Sequence, residues 1–461
     1  MAHLSLAIVA ERQTATGAIG HRTTVVFVVP GSTKEVVNRT LMAAGPEEVG
    51  EQDLWGAIQQ EIGGGVQMDR RENPVARCQP GGRAMSRLVL VAVLGVVVAC
   101  TDGSESQPTS WEWELPEGFP EPPVPEDNPM SEEKVELGRH LFYDKRLSVD
   151  ESMSCASCHP QEHAFSGDEA NPRGVTGDAH PRTAMSLTNV AYNATLNWAN
   201  PHLDSLEEQA LVPLFGDEPV EMGLQKVEDK WLERLRDDPL YRDLFDAAYP
   251  GRSEPIELVT VVEALASFQR TLISGGSDFD RFTYGGDEEA MSESARRGMA
   301  LFFSERLECF HCHGGFNFTH DVDHLGREFT EPSFHNTGLY NYDHRGSYPP
   351  PNQGLYEFSG EASDMGRFRA PTLRNVEYSA PYMHDGSIET LEEVIDHYAA
   401  AGRTIHDGPW AGDGSQNPFK SQFIVGFELS DEEREDLLGF MKALSDEEFI
   451  EAPEFADPFD D

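Results

Sequence analysis

Apolar residues recur at helical spacing in four segments of the chain. Ser131 precedes a run in which Val135, Leu137, Leu141 and Phe142 fall within one half of a helix, with Gly138 among them. Leu258, Val261, Val262, Leu265 and Leu272 form a second stripe, and Ser292 opens a third that carries Ala295, Met299, Phe302 and Phe303. Ser430-Asp-Glu-Glu433 has the pattern of a capping box, and Leu437, Met441 and Leu444 follow it. Strand-like alternation is absent around these segments, so the expected fold class is all-α. The Gly- and Asp-rich stretch 275–289 reads as a linker, and 320–365, with Pro349-Pro-Pro351, as a long loop.

The stripes pair off because the chain repeats itself. Leu141-Phe-Tyr-Asp-Lys-Arg-Leu147 is echoed by Leu301-Phe-Phe-Ser-Glu-Arg-Leu307, and Asn189-Val-Ala-Tyr192 by Asn375-Val-Glu-Tyr378. Ser205-Leu-Glu-Glu208 is echoed by Thr390-Leu-Glu-Glu393. Each copy has an opening helix, a motif and a closing helix, which predicts two tandem domains at 130–285 and 290–447.

The chemistry lies in the motif. Cys155-Ala-Ser-Cys158-His159 and Cys309-Phe-His-Cys312-His313 are both Cys-x-x-Cys-His runs. Two thiols on one turn reach both vinyl groups of a porphyrin, and the adjoining His is carried beneath the iron. A structural zinc site built from two Cys-x-x-Cys pairs is the alternative, but it leaves a His after each pair unexplained. Two covalent c-type haems are therefore expected in two cytochrome c-like domains.

Two further cysteines, Cys78 and Cys100, make six in all. Cys100 closes the apolar stretch Leu88–Ala99, which follows Met85-Ser-Arg87. A short basic start, an apolar core and a small residue before Cys read as a secretory signal over 85–100, and the apolar stretch is too short to span a bilayer. Val97-Val-Ala-Cys100 also has the form of a lipoprotein box, with a plain signal peptide as the alternative. Periplasmic export is expected, with Cys100 as a lipid anchor. A signal here makes residues 1–84 a non-native leader or a misplaced start, and the polar, Pro-rich segment 101–129 a tether. Charge changes at the same point. Residues 1–100 hold nine basic and nine acidic residues, so the net charge of −46 falls on 101–461, and 448–461 is an acidic tail. Such a surface repels nucleic acid and anionic membrane and favours a cationic partner, although a purely solubilising surface gives the same count.

Further motifs join the haem runs. They are Trp198 through Leu206-Glu-Glu-Gln209, Pro219-Val-Glu-Met222, Asp364-Met-Gly-Arg-Phe-Arg-Ala-Pro-Thr-Leu-Arg-Asn375 and Ala380-Pro-Tyr-Met-His-Asp-Gly386. With them, residues 128–447 resemble the di-haem cytochrome c peroxidase and MauG superfamily, most closely the MbnH branch of MauG-like enzymes. The resemblance implies an N-terminal haem that reacts with hydrogen peroxide, a C-terminal haem that stores oxidising equivalents, and a tryptophan between them, matched by Trp198. It implies Gln209 and Glu221 in the distal pocket, with Glu221 moving protons, and a calcium ion at Thr183, Ser379 and the Pro381 carbonyl. His180 sits closer to Arg182-Thr183 than the family's distal His does and is read as a loop residue, as is His163; His384 is assigned to the second haem's surroundings. The activity implied is oxidation of a residue on an exported protein. Peroxide detoxification with electrons from a small redox protein is one alternative, and non-catalytic electron carriage by two closed haems is another.

The repeat itself distinguishes the two haems. Pro213 and Tyr398 each lie seven residues after the Leu of their Leu-Glu-Glu string. Tyr398 has a phenolate to offer iron and Pro213 has nothing, which leaves the first haem open. Tyr398 as a core tyrosine, and His397 or Met383 as ligand in its place, are the competing readings.

Overall fold

The computed structural model describes the strands Ser5–Ala15 and Ala18–Val28 and residues 111–459, apart from 228, 328–329 and 331–332. The chain divides into two units, Met1–Ala99 and Cys100–Asp461. In the first unit the two strands, β1 and β2, pair antiparallel from Ser5↔Val28 to Ala15↔Ala18, an element that the helical pattern did not anticipate. The signal segment 85–100, with Cys100, lies outside the described residues, as does Cys78. Among the described residues no helix is long and apolar enough to cross a membrane.

The second unit is helix-rich. In its first half, α1 (Glu132–Tyr143) starts where the Ser131 hydroxyl accepts the Lys134 amide. Then come α2 (Leu206–Phe215), α3 (Lys230–Asp237), α4 (Pro239–Ala248) and α5 (Leu258–Arg270). Gly138 lets α1 press against α5, since a Cβ there would lie 2.0 Å from the Ala264 carbonyl oxygen. Beyond α6 (Asp278–Thr283), the second half repeats this crossing with α7 (Glu293–Phe302) on α9 (Asp431–Lys442). There a Cβ at Gly298 would lie 1.9 Å from the Asp436 oxygen. The predicted Ser430–Glu433 capping box forms. Between α7 and α9 lies α8 (Leu391–Ala399), opened by Thr390 as α2 is opened by Ser205.

Smaller features recur too. Asn189 and Asn375 both adopt left-handed backbone, at φ 56° and 58°, and each starts a single turn. Their amides donate to Leu272 and Leu444, each two residues beyond its closing helix.

Three segments differ from expectation. The described part of the tether, 111–129, packs onto the body: Phe119 is buried under the Arg374 guanidinium, and the Tyr192 hydroxyl donates to the Pro120 oxygen. The linker contains α6, whose Asp280 forms a buried, two-pronged ion pair with Arg374. Its Gly and Asp residues serve as caps and close-approach positions: the Gly275 and Gly276 amides both donate to Asp446. The acidic tail contains α10 (Glu447–Glu451) and straps the first half, because Phe449 and Phe455 set apolar rings against Phe165 among the acidic side chains. The described part of the long loop 320–365 is mostly irregular, with a short strand pairing Phe334–His335 to Phe368–Arg369 and helical turns at Tyr356–Ser359 and Ala362–Asp364.

Candidate functional site

Each Cys-x-x-Cys-His motif begins with one turn of 3-10 helix. The His159 amide donates to the Cys155 oxygen, and the His313 amide to the Cys309 oxygen, both at 3.0 Å. The imidazoles are then fixed from behind. Nδ1 of His159 is 2.9 Å from the Phe165 oxygen, and Nδ1 of His313 is 3.1 Å from the Phe318 oxygen. A carbonyl only accepts, so the proton sits on Nδ1 and Nε2 is bare in both rings. Burial holds His159 below the usual imidazole range and pushes His313 down to about 4. Both are neutral at pH 7, as a metal ligand must be.

The motifs face separate cavities. Cys155, Cys158 and His159 line the first, with about 1340 Å³ of space free of protein atoms, part of it open to solvent. Cys309, Cys312 and His313 line the second, with about 1640 Å³. The four thiols are free, and each pair keeps to its own cavity, which does not suit a shared zinc ion. A large planar group bonded to two thiols and one bare imidazole nitrogen fits each.

The distal walls differ. In the first cavity α2 presents Pro213, which has no donor atom for iron, and Gln209, whose buried Oε1 has no hydrogen-bond partner. Glu221 stands nearby, and burial raises its carboxyl to about 7. His180, expected as a loop residue, also lines this cavity. Its Nδ1 lies 3.0 Å from the Arg182 oxygen and its Nε2 3.8 Å from Glu221, so a backbone contact fixes the ring with Nε2 near the carboxylate. In the second cavity α8 presents Tyr398 at the same step from its cap, eight residues beyond Thr390 as Pro213 is beyond Ser205. Burial raises the Tyr398 phenol. His397 is buried but not on the wall, whereas Met383 and His384 are, the latter stacked on Phe368 at 3.6 Å between ring centroids. His163 is on neither wall; its Nδ1 is 3.2 Å from the Tyr378 oxygen.

Trp198 lines both cavities. Its indole N–H donates to the Thr183 oxygen at 3.0 Å, and its own carbonyl accepts the Arg369 amide. Thr183, Ser379 and Pro381 all line the second cavity, and the Thr183 hydroxyl donates to the Met383 oxygen at 3.5 Å. A buried pair went unread in the sequence: Asp321 and Arg369, 3.5 Å apart, with Asp321 also held by the Thr195 hydroxyl. Arg369 lay within the 364–375 motif, but its partner is 48 residues away.

Two haem-attachment motifs, each with its own cavity and one aromatic shared between them, define a di-haem c-type oxidoreductase. The chain belongs to the di-haem cytochrome c peroxidase family, whose model matches residues 132–289. It is 35% identical over 357 residues to the methylamine utilization protein MauG of Methylorubrum extorquens, covering 77% of this chain and 89% of that one. It is 34% identical to a cytochrome-c peroxidase of Pseudomonas sp. (strain SCT), covering 71% of this chain and 84% of that one. Among solved structures, a MauG-like protein associated with microbial copper homeostasis is 48% identical with a TM-score of 0.74, covering 76% of this chain and 99% of the other. The protein is thus an enzyme of the family that acts on peroxide and carries two c-type haems, with a protein or redox partner.

Proposed function

We propose that this enzyme uses hydrogen peroxide to oxidise a residue on an exported protein partner, in the manner of MauG-like and MbnH-like proteins. The observation that carries the reading is the unequal pair at equivalent helix positions, Pro213 in the first cavity and Tyr398 in the second. Their equivalence supports an internal duplication of two cytochrome c-like domains, 130–285 and 290–447.

In this reading Cys155 and Cys158 would hold one haem with His159 offering its nitrogen to the iron, and Cys309 and Cys312 would hold the other, with His313 and Tyr398 as the donors its iron would use. The bound iron supplies a centre able to take up the two oxidising equivalents of peroxide. Pro213 leaves the first distal face open. Gln209 orients the peroxide, and Glu221 takes a proton from one peroxide oxygen and returns it to the other, which needs a carboxylate at hydrogen-bond reach. Trp198 passes electrons between the cavities. The anionic Tyr398 oxygen favours oxidised iron, whereas a Met ligand raises the potential. Calcium on Thr183, Ser379 and Pro381 fixes the wall that also holds Trp198. Export to the periplasm, with Cys100 as a lipid anchor, completes the reading.

Absorption and paramagnetic resonance spectra of the diferric protein test it. One high-spin haem and one low-spin haem with His/Tyr character are expected, with Tyr398→Phe abolishing the latter signature. Two low-spin haems that ignore peroxide would sink the proposal. A second reading, detoxification with electrons from a small redox protein, draws on the acidic surface, which attracts a cationic donor. Rapid oxidation of a reduced cytochrome without modification of any protein would favour it.

A further inference from the structure

Behind the second cavity a file of aromatic rings runs away from the haem site through residues that no step above uses. It starts at the stacked pair of His384 and Phe368 on the cavity wall. Tyr348 lies behind them, its ring 6.3 Å from His384 and 6.2 Å from Phe368, and is wholly buried. Tyr340 comes next, edge-on at 5.4 Å. It is 9% exposed, so the file ends just beneath the surface.

The two phenols have different partners. Tyr348 donates to the Asn336 amide oxygen at 2.8 Å and accepts the Leu339 amide. Tyr340 donates to the Asp385 carboxylate at 2.6 Å, with the Arg403 guanidinium 4.9 Å above its ring. A phenol that loses an electron becomes a strong acid, so its oxidation inside a protein needs a base already in place. An amide oxygen is a poor base, whereas a carboxylate at this distance is a good one.

The protonation states at rest are the ones required. Burial and the neighbouring Asp385 push Tyr340 up to about 12, so it keeps its proton. Burial works against Asp385, but His384, hydrogen bonds from Ser387 and Tyr340, and Arg403 hold it below the usual carboxylate range. The base is ionised at neutral pH.

We propose that Tyr348 and Tyr340 form an electron-transfer branch of the second cavity, with Tyr340 the site where an oxidising equivalent comes to rest when no protein partner consumes it. The proposal builds on the reading of this cavity as a haem site and adds redox residues to it. The step balances. One electron leaves Tyr340 through Tyr348 and cancels one of the two oxidising equivalents delivered by peroxide. The phenolic O–H breaks, and its proton forms a new O–H bond on Asp385. The products are a neutral tyrosyl radical at 340 and a protonated Asp385. A one-electron donor in solution reverses the step at Tyr340, and Asp385 returns the proton.

The test uses the diferric holoenzyme mixed with hydrogen peroxide, without partner, and freeze-quenched for paramagnetic resonance. A tyrosyl radical is expected in the wild type and its loss in Tyr340→Phe, whose oxidised haem spectrum should then decay several-fold more slowly. Asp385→Asn keeps the phenol and removes the base, so the radical signal should fall there as well. Wild-type haem content and resting absorption in each variant show that it has folded. Haem absorption that responds to peroxide without a tyrosyl radical, or a radical that survives in Tyr340→Phe, overturns the proposal while the haem reading stands. Haem absorption that ignores peroxide overturns both.

Discussion

Burial raises the Glu221 carboxyl to about 7, so around neutral pH it is divided between its acid and base forms. A group that must first accept a proton works only when ionised. The rate of reaction with peroxide should therefore rise with pH through about 7 and level off above it. Glu221→Gln keeps the shape of the side chain and removes the base. Stopped-flow absorption should show the rate lowered by about 10²–10⁴-fold, with the pH rise gone. His180 sits 3.8 Å from the same carboxylate, so a residual pH dependence in Glu221→Gln would assign the titration to His180. The Cys and His of each motif were legible in the sequence because haem attachment is a contact among five consecutive residues. His180 beside Glu221 was not legible, because 41 residues separate them and only the folded loop brings them together.

Among the helices, the two crossings depend on the absence of one side chain each. A Cβ at Gly138 or Gly298 would fall about as close to the facing helix's carbonyl oxygen, at 2.0 and 1.9 Å. Gly138→Ala and Gly298→Ala should each cost about 1–3 kcal/mol in denaturant unfolding, since the helix pair must separate to admit the methyl. Comparable losses are the expected result, and a neutral substitution at either site would refute a close crossing there. The helices themselves could be read from Ser131, Ser292 and Ser430, because capping and apolar spacing are local signals. Helix α6 was read as linker because its defining contact, Asp280 to Arg374, spans 94 residues. The acidic tail, 448–461, does not show in sequence that it straps the first half, because acidic residues outnumber Phe449 and Phe455, which dock it.

For the molecule as a whole, charge is the dominant feature: 26 basic against 72 acidic residues after residue 100. A surface of this kind draws a cationic partner from a distance, and added salt screens the attraction. The apparent second-order rate for partner oxidation should fall steeply as ionic strength rises from about 0.01 to 0.15 M, as the Debye length shortens from about 30 to 8 Å. The rate with peroxide, a neutral molecule, should barely change. Equal salt dependence for both substrates would argue against electrostatic docking.

The sequence alone specified two haem motifs, their paired helices and the inequality of Pro213 and Tyr398, since each depends on neighbouring residues or on the register of a repeat. Folding added what depends on distant chain segments meeting. It set Trp198 on the walls of both cavities, turned Tyr398 rather than His397 toward the second, and brought Asp385 within 2.6 Å of Tyr340. Helical spacing limits which faces are available, but only close packing fixes which side chain occupies a wall and which base stands beside a phenol.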